Sequence, residues 1–118
     1  MNPTAHLTCQ HTDGDLAVAT VTGELTHGTA PAIRDQAIAL IRQGHHHLIL
    51  DMHQVTFCDS SGFSALVGIW RYAQQEEGTV VLAAVPDRLS RMLRFTGLED
   101  LFLTYPTADE ALAARSPS

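Results

Sequence analysis

The pattern of apolar and polar positions in the first third of the chain changes from that of strands to that of a helix. Residues from about Ala5 to Leu25 are predicted as two strands joined at Asp13-Gly14, a dipeptide that tolerates the positive φ angles of a tight hairpin turn. From Thr29, a candidate cap, to Gln43, apolar residues recur at helical spacing, and Gly44 follows as a stop signal. The sequence therefore predicts a hairpin followed by an amphipathic helix.

The remaining elements are predicted to alternate between buried strands and helices. Leu48-Ile49-Leu50 is an apolar run ending at Asp51, which predicts a short strand covered on both faces, with a loop after it. The later predicted elements are a helix from Ser61 to Gln75, a strand from Thr79 to Val85, a helix capped by Asp87 and stopping at Gly97, a strand around Phe102 to Tyr105 and a helix near Ala108 to Ala114. This order predicts an α/β fold, with a mixed β-sheet of about four to five strands and about four α-helices.

Length and composition fit one compact domain. The 118 residues are 45% hydrophobic, which is enough for a single core. We expect one domain over residues 1–118, with its core at about 5–114 and a short disordered C-terminal tail at Ser116–Ser118. The start of the chain does not resemble a signal peptide, and no apolar run approaches the ~20 residues that span a membrane. The expected localisation is therefore cytoplasmic, with no membrane contact.

The net charge, the cysteines and the histidines indicate which ligands and bonds the chain is not expected to have. The formal net charge is −6, from 13 acidic residues against 7 basic ones, which argues against direct nucleic-acid binding. Cys9 and Cys58 are far apart in sequence, so we expect buried reduced thiols and neither a zinc site nor a disulfide. His45, His46 and His47 alternate in direction along the backbone and cannot readily converge on one ion. We expect a solvated loop there, and we predict no metal and no cofactor.

The most specific stretch is LILDMHQVTFCDSSGFSALVGIW, from Leu48 to Trp70. Asp59-Ser60-Ser61-Gly62 lies where a helix must begin, and Asp and Ser are favoured there because their oxygens accept bonds from the first free N–H groups. The predicted core stripe of this helix is Phe63, Leu66, Val67, Trp70 and Ala73. A second apolar row beside it is formed by Ala65, Ile69 and Tyr72. Such a helix is either sandwiched by neighbouring elements or meets a partner through part of its surface.

A serine at the exposed start of such a helix is a suitable switch. Phosphorylation of Ser60 would add about −1.5 to −2 charges and a bulky group at the edge of the surface. The helix N-terminus would tolerate this charge, whereas across an interface the group would clash or repel. The alternative for Ser60 and for Asp59 is a purely structural capping role. For Asp51, a structural bond to loop amides and a role in the site both stay open.

Three blocks of the sequence resemble the STAS domains of bacterial anti-sigma-factor antagonists. They are GELTHGTA from Gly23, DSSG with the apolar helix after it, and FTGLEDLF from Phe95. The resemblance runs from about Leu16 to Phe102 and implies a single STAS domain. It also implies a partner-switching cycle in transcription regulation. The unphosphorylated antagonist binds an anti-sigma factor that is also a serine/threonine kinase and so frees the sigma factor, the kinase phosphorylates the first serine of DSSG, and a serine phosphatase reverses this.

Carried onto this chain, the resemblance implies Ser60 as the phosphorylation site. The predicted partner-binding residues are Asp59, Ser61, Gly62, Thr26, His27 and Ile69. Asp59 would shape the site, Ser61 would support the helix start, and Gly62 would allow the partner close approach. Family members often have Asp or another polar residue where Thr26 stands, followed here by His27, and Thr26 carries no charge. The identity of the kinase and the strength of its binding therefore stay open.

Two other classes of function are weighed against this one. A constitutive STAS scaffold or accessory subunit, of a stressosome or a lipid-transport complex, would use the same helix face without a phosphoswitch. An enzyme is not predicted, because DSSG lacks the G-x-S-x-G elbow and the chain has no Gly-rich phosphate loop.

Three arginines recur every three residues in the helix after Asp87: Arg88, Arg91 and Arg94. This spacing indicates either a solvated helix face or a partner contact.

Overall fold

Five strands form one sheet in the computed structural model, which describes residues 4–115. In chain order the elements are β1 (Ala5–Asp13), β2 (Leu16–Leu25), α1 (Ala30–Arg42), β3 (His47–Cys58), α2 (Ser60–Gln75), β4 (Thr79–Ala83), α3 (Asp87–Thr96), a 3-10 turn (Leu98–Asp100), β5 (Leu103–Tyr105) and α4 (Ala108–Arg115). The strands lie side by side in sequence order, with β1 antiparallel to β2 and the later neighbours parallel. The predicted α/β fold with a mixed sheet is confirmed.

The two faces of the sheet bury separate clusters. Successive residues of a strand point to opposite faces, so Leu48 and Leu50 of β3 belong to one cluster and Ile49 belongs to the other. The larger cluster includes residues of α1, α2 and α3, and the smaller one includes Ala111 of α4. The central strands are therefore covered on both sides, which explains their continuous apolar sequences.

Strand β3 is longer than the sequence predicted. The prediction of a loop after Asp51 is wrong, because β3 continues to Cys58 and its last residues pair with the end of β2. Val55 and Cys58 in this extension are buried while Phe57 is exposed, and the pairing with β2 contains two register shifts. An irregular pairing of this kind leaves no alternating pattern in the sequence.

Helix α2 lies against both the sheet and α1. Its buried residues are Gly62, Phe63, Ala65, Leu66, Ile69 and Ala73. Val67 and Trp70, predicted for the core stripe, are only half-buried. Ala65 and Ile69 of the second apolar row are buried, and α1 packs against α2. Of the two explanations for the second row, the structure supports the sandwiched helix.

The two predicted caps make no capping bond, although the predicted stop signals are confirmed. Thr29 occupies the N-cap position of α1, as predicted, but its hydroxyl donates to the Glu24 carbonyl at 2.5 Å. Asp87 lies in the first turn of α3 and makes no capping bond. Gly44 and Gly97 follow α1 and α3 with φ of 106° and 74°. These positive angles favour glycine and end the helices.

The hairpin prediction is confirmed, since β1 and β2 are joined by a tight turn in which Gly14 has a φ of 59°. The predicted tail, Ser116–Ser118, lies outside the described residues. Within residues 4–115, no helix has the length and apolar character needed to cross a membrane.

The two cysteines differ in exposure, so the prediction of two buried thiols is wrong for Cys9. Cys9 is exposed on β1, whose second half faces solvent because the strand lies at the sheet edge. Cys58 is buried at the end of β3. Burial, and then the nearby Asp59 carboxylate, raise the pKa of the Cys58 thiol to about 12. This thiol therefore stays protonated at neutral pH.

Timed alkylation should separate the two thiols. At pH 8, we expect iodoacetamide to modify Cys9 in the folded protein and to spare Cys58 until the protein is unfolded, since the thiolate is the reactive form. Mass spectrometry of the digested protein measures both rates, and Cys9→Ser gives the Cys58 rate alone. Modification of Cys58 at the rate of Cys9 would contradict its burial.

His45 and His46 lie in the loop before β3, as predicted, and His47 is the first residue of β3. All three are half-buried, so the loop is less solvated than expected. His45 Nδ1 lies 3.0 Å from the Gly14 carbonyl oxygen, and His47 Nδ1 lies 2.9 Å from the Thr79 hydroxyl. The ring of His45 therefore contacts the hairpin turn between β1 and β2, whereas the ring of His47 contacts the first residue of β4. Among the residues that the structure describes, no group of His, Cys, Asp or Glu is arranged to hold a metal ion.

Candidate functional site at the start of helix α2

Ser60 is the first residue of α2, and its side chain is exposed. It follows the carboxyl end of β3, where Leu25 of β2 pairs with Cys58. The Asp59 N–H donates to the Leu25 carbonyl at 3.0 Å, which ties the loop after β2 to the start of α2. The Ser60 hydroxyl is therefore accessible from solvent at the edge of the sheet where two loops meet.

Asp59 caps α2. Its Oδ1 accepts hydrogen bonds from the Ser61 N–H at 2.8 Å and from the Gly62 N–H at 3.1 Å. The structural role weighed for Asp59 is thus observed, and its role in shaping a phosphorylation site stays a prediction. Because one oxygen satisfies two of the free N–H groups of the helix, the start of α2 is fixed by the chain itself.

Removing this cap should destabilise the protein measurably. We expect Asp59→Ala to lower the free energy of unfolding by about 1 kcal/mol. The control Asp59→Asn keeps an acceptor oxygen and should lose less. Urea denaturation followed by circular dichroism measures both variants. Equal losses in the two would show that the capping oxygen is not the cause.

Two of the predicted partner-binding residues are buried. Ile69 has 0% exposure within the core cluster, so the structure contradicts a direct contact with a partner. Gly62 is also buried, and a Cβ there would lie 2.8 Å from both Cβ and O of Leu25 and 2.5 Å from Cys58 Sγ. Close packing inside the chain therefore explains the glycine. Its predicted role in allowing a partner close approach stays a prediction.

Thr26 organises the loop between β2 and α1. Its carbonyl accepts from the Ala30 N–H at 2.7 Å, and its hydroxyl accepts from the Gly28 N–H at 3.3 Å. The Thr26 N–H in turn donates to the Thr29 hydroxyl at 2.9 Å. These bonds hold His27 at the exposed tip of the loop.

An open groove of about 300 Å³ lies beside Ser60. One side of it is formed by this loop and the start of α1, and the other side by the start of α2. The residues that line it are His27, Ala30, Pro31, Arg34, Ser60, Ser61, Ser64 and Ala65. The groove brings together Ser60, Ser61 and His27, which the sequence predicted for the site. It adds Arg34 and Ser64, which the sequence analysis missed. The signal for Ser64 was its spacing of four residues from Ser60, whereas Arg34 carried no local signal.

Asp51, for which two roles stayed open, makes a local pair inside β3. Its Oδ1 accepts from the His53 N–H at 3.1 Å and lies 2.6 Å from His53 Nδ1. The structure supports the structural role, although the bonded amide belongs to the strand and not to a loop.

Helix α3 presents a separate cationic surface. Arg88, Arg91 and Arg94 are exposed, and Phe95 beside them is 89% exposed. Within residues 4–115, none of these three arginines forms a salt bridge. The exposure is compatible with both the solvated face and the partner contact considered for them.

Comparison with known proteins assigns the family. The STAS domain model matches residues 6–111, so the chain belongs to the STAS domain family, as the sequence blocks indicated. The anti-sigma-B factor antagonist of Listeria monocytogenes is 32% identical over 82 residues, which are 69% of this chain and 71% of that protein.

Solved structures show the same architecture. An anti-sigma factor antagonist from Mycobacterium paratuberculosis is similar over 93% of this chain and 92% of that one, with 27% identity and a TM-score of 0.79. The Bacillus cell fate determinant SpoIIAA in its phosphorylated form covers 94% of this chain and 100% of its own, with 22% identity and a TM-score of 0.75. At this lower identity, the likeness to SpoIIAA shows the fold alone.

Proposed function

We propose that this protein is an anti-sigma factor antagonist that acts by reversible protein binding in the cytoplasm. Its unphosphorylated form binds an anti-sigma factor that is also a serine/threonine kinase, and this binding releases the sigma factor. Phosphorylation of Ser60 abolishes binding, and a serine phosphatase restores it. Residues 1–118 act as one STAS domain in this cycle. The observation that carries the proposal is the exposed Ser60 side chain at the rim of the groove between α1 and α2.

The proposed switch depends on the free-energy cost of a charge at Ser60, which is low in the free protein and high in the complex with the partner. A phosphoryl group on free Ser60 keeps contact with solvent, and the capped start of α2 has no need to change. In a complex, the same group must be desolvated against a partner surface that has no countercharge for it. Burying an unpaired charge is costly, so the complex is destabilised while the domain stays folded.

The proposed contact surface comprises Asp59, Ser61, Thr26 and His27 around Ser60. Asp59, Ser61 and Thr26 are half-buried and His27 is exposed, so each has surface that a partner can reach. Gly62 and Ile69 support this surface from below without forming part of it. The relative from Listeria monocytogenes is named an antagonist of an anti-sigma factor, which supports the same class of partner here.

Phosphorylation by the cognate kinase tests the proposal. With Mg-ATP, we expect one phosphate on the wild type and none on Ser60→Ala, measured by intact-protein mass spectrometry. Ser64→Ala is the matched control, because Ser64 lines the same groove outside the proposed contact surface and this variant should be modified like the wild type. Modification at another residue would contradict the switch. A complex that persists with Mg-ATP while no phosphate is added would also contradict it, because that is the behaviour of a constitutive STAS scaffold or accessory subunit.

A further inference from the structure

One wall of the groove beside Ser60 contains a cation, the guanidinium of Arg34. Arg34 of α1 and His27 of the preceding loop line the groove opposite Ser60, Ser61 and Ser64 of α2. The chain has only 7 basic residues against 13 acidic ones, so a basic group at this position opposes the overall charge. The groove therefore offers an anion both N–H donors and hydroxyl donors.

Arg34 is held across the gap between the two helices. A Cβ built on Gly68 of α2 would lie 3.2 Å from Cδ of Arg34, so the aliphatic part of the arginine rests on the glycine. Within residues 4–115, the ion pair of the guanidinium is with its chain neighbour Asp35, at 3.4 Å, and both side chains are exposed. An exposed ion pair of this kind contributes little to stability. A more highly charged anion can therefore displace the Asp35 carboxylate from Arg34.

Two of the first N–H groups of α2 are not free to bind a phosphoryl group on Ser60. The N–H groups of Ser61 and Gly62 are occupied by the Asp59 carboxylate. This carboxylate also carries a negative charge next to Ser60. Among the residues that line the groove, the cation available to a modified serine is Arg34 on the opposite wall.

We propose that this groove is an intramolecular phosphoryl-binding site, in which the Arg34 guanidinium, assisted by His27 and the Ser64 hydroxyl, binds the phosphoryl group of modified Ser60. The inference rests on the proposed phosphorylation of Ser60. The bound group occupies the part of the groove beside Ser60 and removes that part from the surface offered to a partner. Phosphorylation then acts twice, by adding charge and by occupying the docking groove.

The second ionisation of phosphoserine reports this contact. A nearby guanidinium favours the dianion and lowers its second pKa below the ordinary value of about 6. The other charged or titratable groups beside it are Asp35 of α1, His27 of the loop and Asp59, and the two carboxylates oppose the effect. We expect Arg34→Gln to raise the phosphoserine pKa by about 0.5 or more.

The experiment uses the full chain with phosphoserine incorporated at position 60 during translation, titrated by ³¹P NMR. Arg42→Gln is the matched control, because it removes the same charge from the same helix about 12 Å further along. We expect the control to leave the phosphoserine pKa unchanged and Arg34→Lys to keep part of the effect. Thermal unfolding of each variant shows that the fold is intact.

Equal phosphoserine pKa values in the wild type and Arg34→Gln would overturn the proposal. An equal rise in Arg42→Gln would also overturn it, since that result would reflect net charge alone. The two hypotheses fail separately. Phosphoserine enters during translation, so a kinase that ignores Ser60 leaves this titration valid, and an unaffected pKa leaves the binding switch untouched.

Discussion

Ser60→Ala should bind the anti-sigma kinase persistently, and Ser60→Asp should bind it at least about 100-fold more weakly, as expected for an unpaired charge desolvated at an interface. The alanine variant has no hydroxyl to modify, so its complex is not ended by phosphorylation. The aspartate carries less charge than a phosphoryl group, so the true modification should have a larger effect. Isothermal titration calorimetry with a non-hydrolysable ATP analogue measures the two dissociation constants.

Ser60→Asn is the matched control for this measurement, because asparagine has the size of aspartate without its charge. Affinity close to that of Ser60→Ala would assign the loss to charge, whereas affinity close to that of Ser60→Asp would assign it to bulk. Circular dichroism of the variants should agree, since a negative group at a helix start does not unfold the helix. Equal affinities of the alanine and aspartate variants would refute the switch, and lost helicity in Ser60→Asp would indicate control by unfolding.

Features set by neighbouring residues along the chain could be predicted from the sequence. The start of α2 at Asp59 follows from the hydrogen bonds that a carboxylate makes to the next N–H groups, which lie two and three residues away. The ends of α1 and α3 follow from Gly44 and Gly97, whose positive φ angles other residues rarely adopt. The alternation of helices and buried strands then determined the class of fold.

Features set by contacts between distant residues could not be predicted in the same way. Ile69 was assigned to a partner because the sequence does not show that α1 covers that side of α2. The extension of β3 to Cys58 depends on irregular pairing with β2. Arg34 enters the site only because the parallel crossover from β2 to β3 places α1 beside α2. The exposed serine at the start of α2 could therefore be predicted from the sequence, whereas the groove around it could not.

Gly62→Ala should lower the free energy of unfolding by about 1 to 3 kcal/mol, the usual cost of forcing extra atoms into a packed region. The added methyl group would meet Cys58 Sγ at 2.5 Å and the backbone oxygen of Leu25 at 2.8 Å. Neither neighbour can move freely, since Leu25 and Cys58 are paired residues of adjacent strands. Alanine gains about 1 kcal/mol over glycine in a helix, but the steric cost should exceed this gain.

Gly68→Ala, in the same helix, separates packing from helix propensity. Its new methyl group would contact only the flexible side chain of Arg34, at 3.2 and 3.9 Å, so the protein should be unchanged or slightly more stable. Urea denaturation of both variants gives the comparison. If Gly62 instead served to admit a partner, Gly62→Ala would unfold like the wild type and fail only in binding the kinase. Loss of stability with this substitution means that the sequence DSSG ends in glycine because β2 and β3 approach α2 closely there.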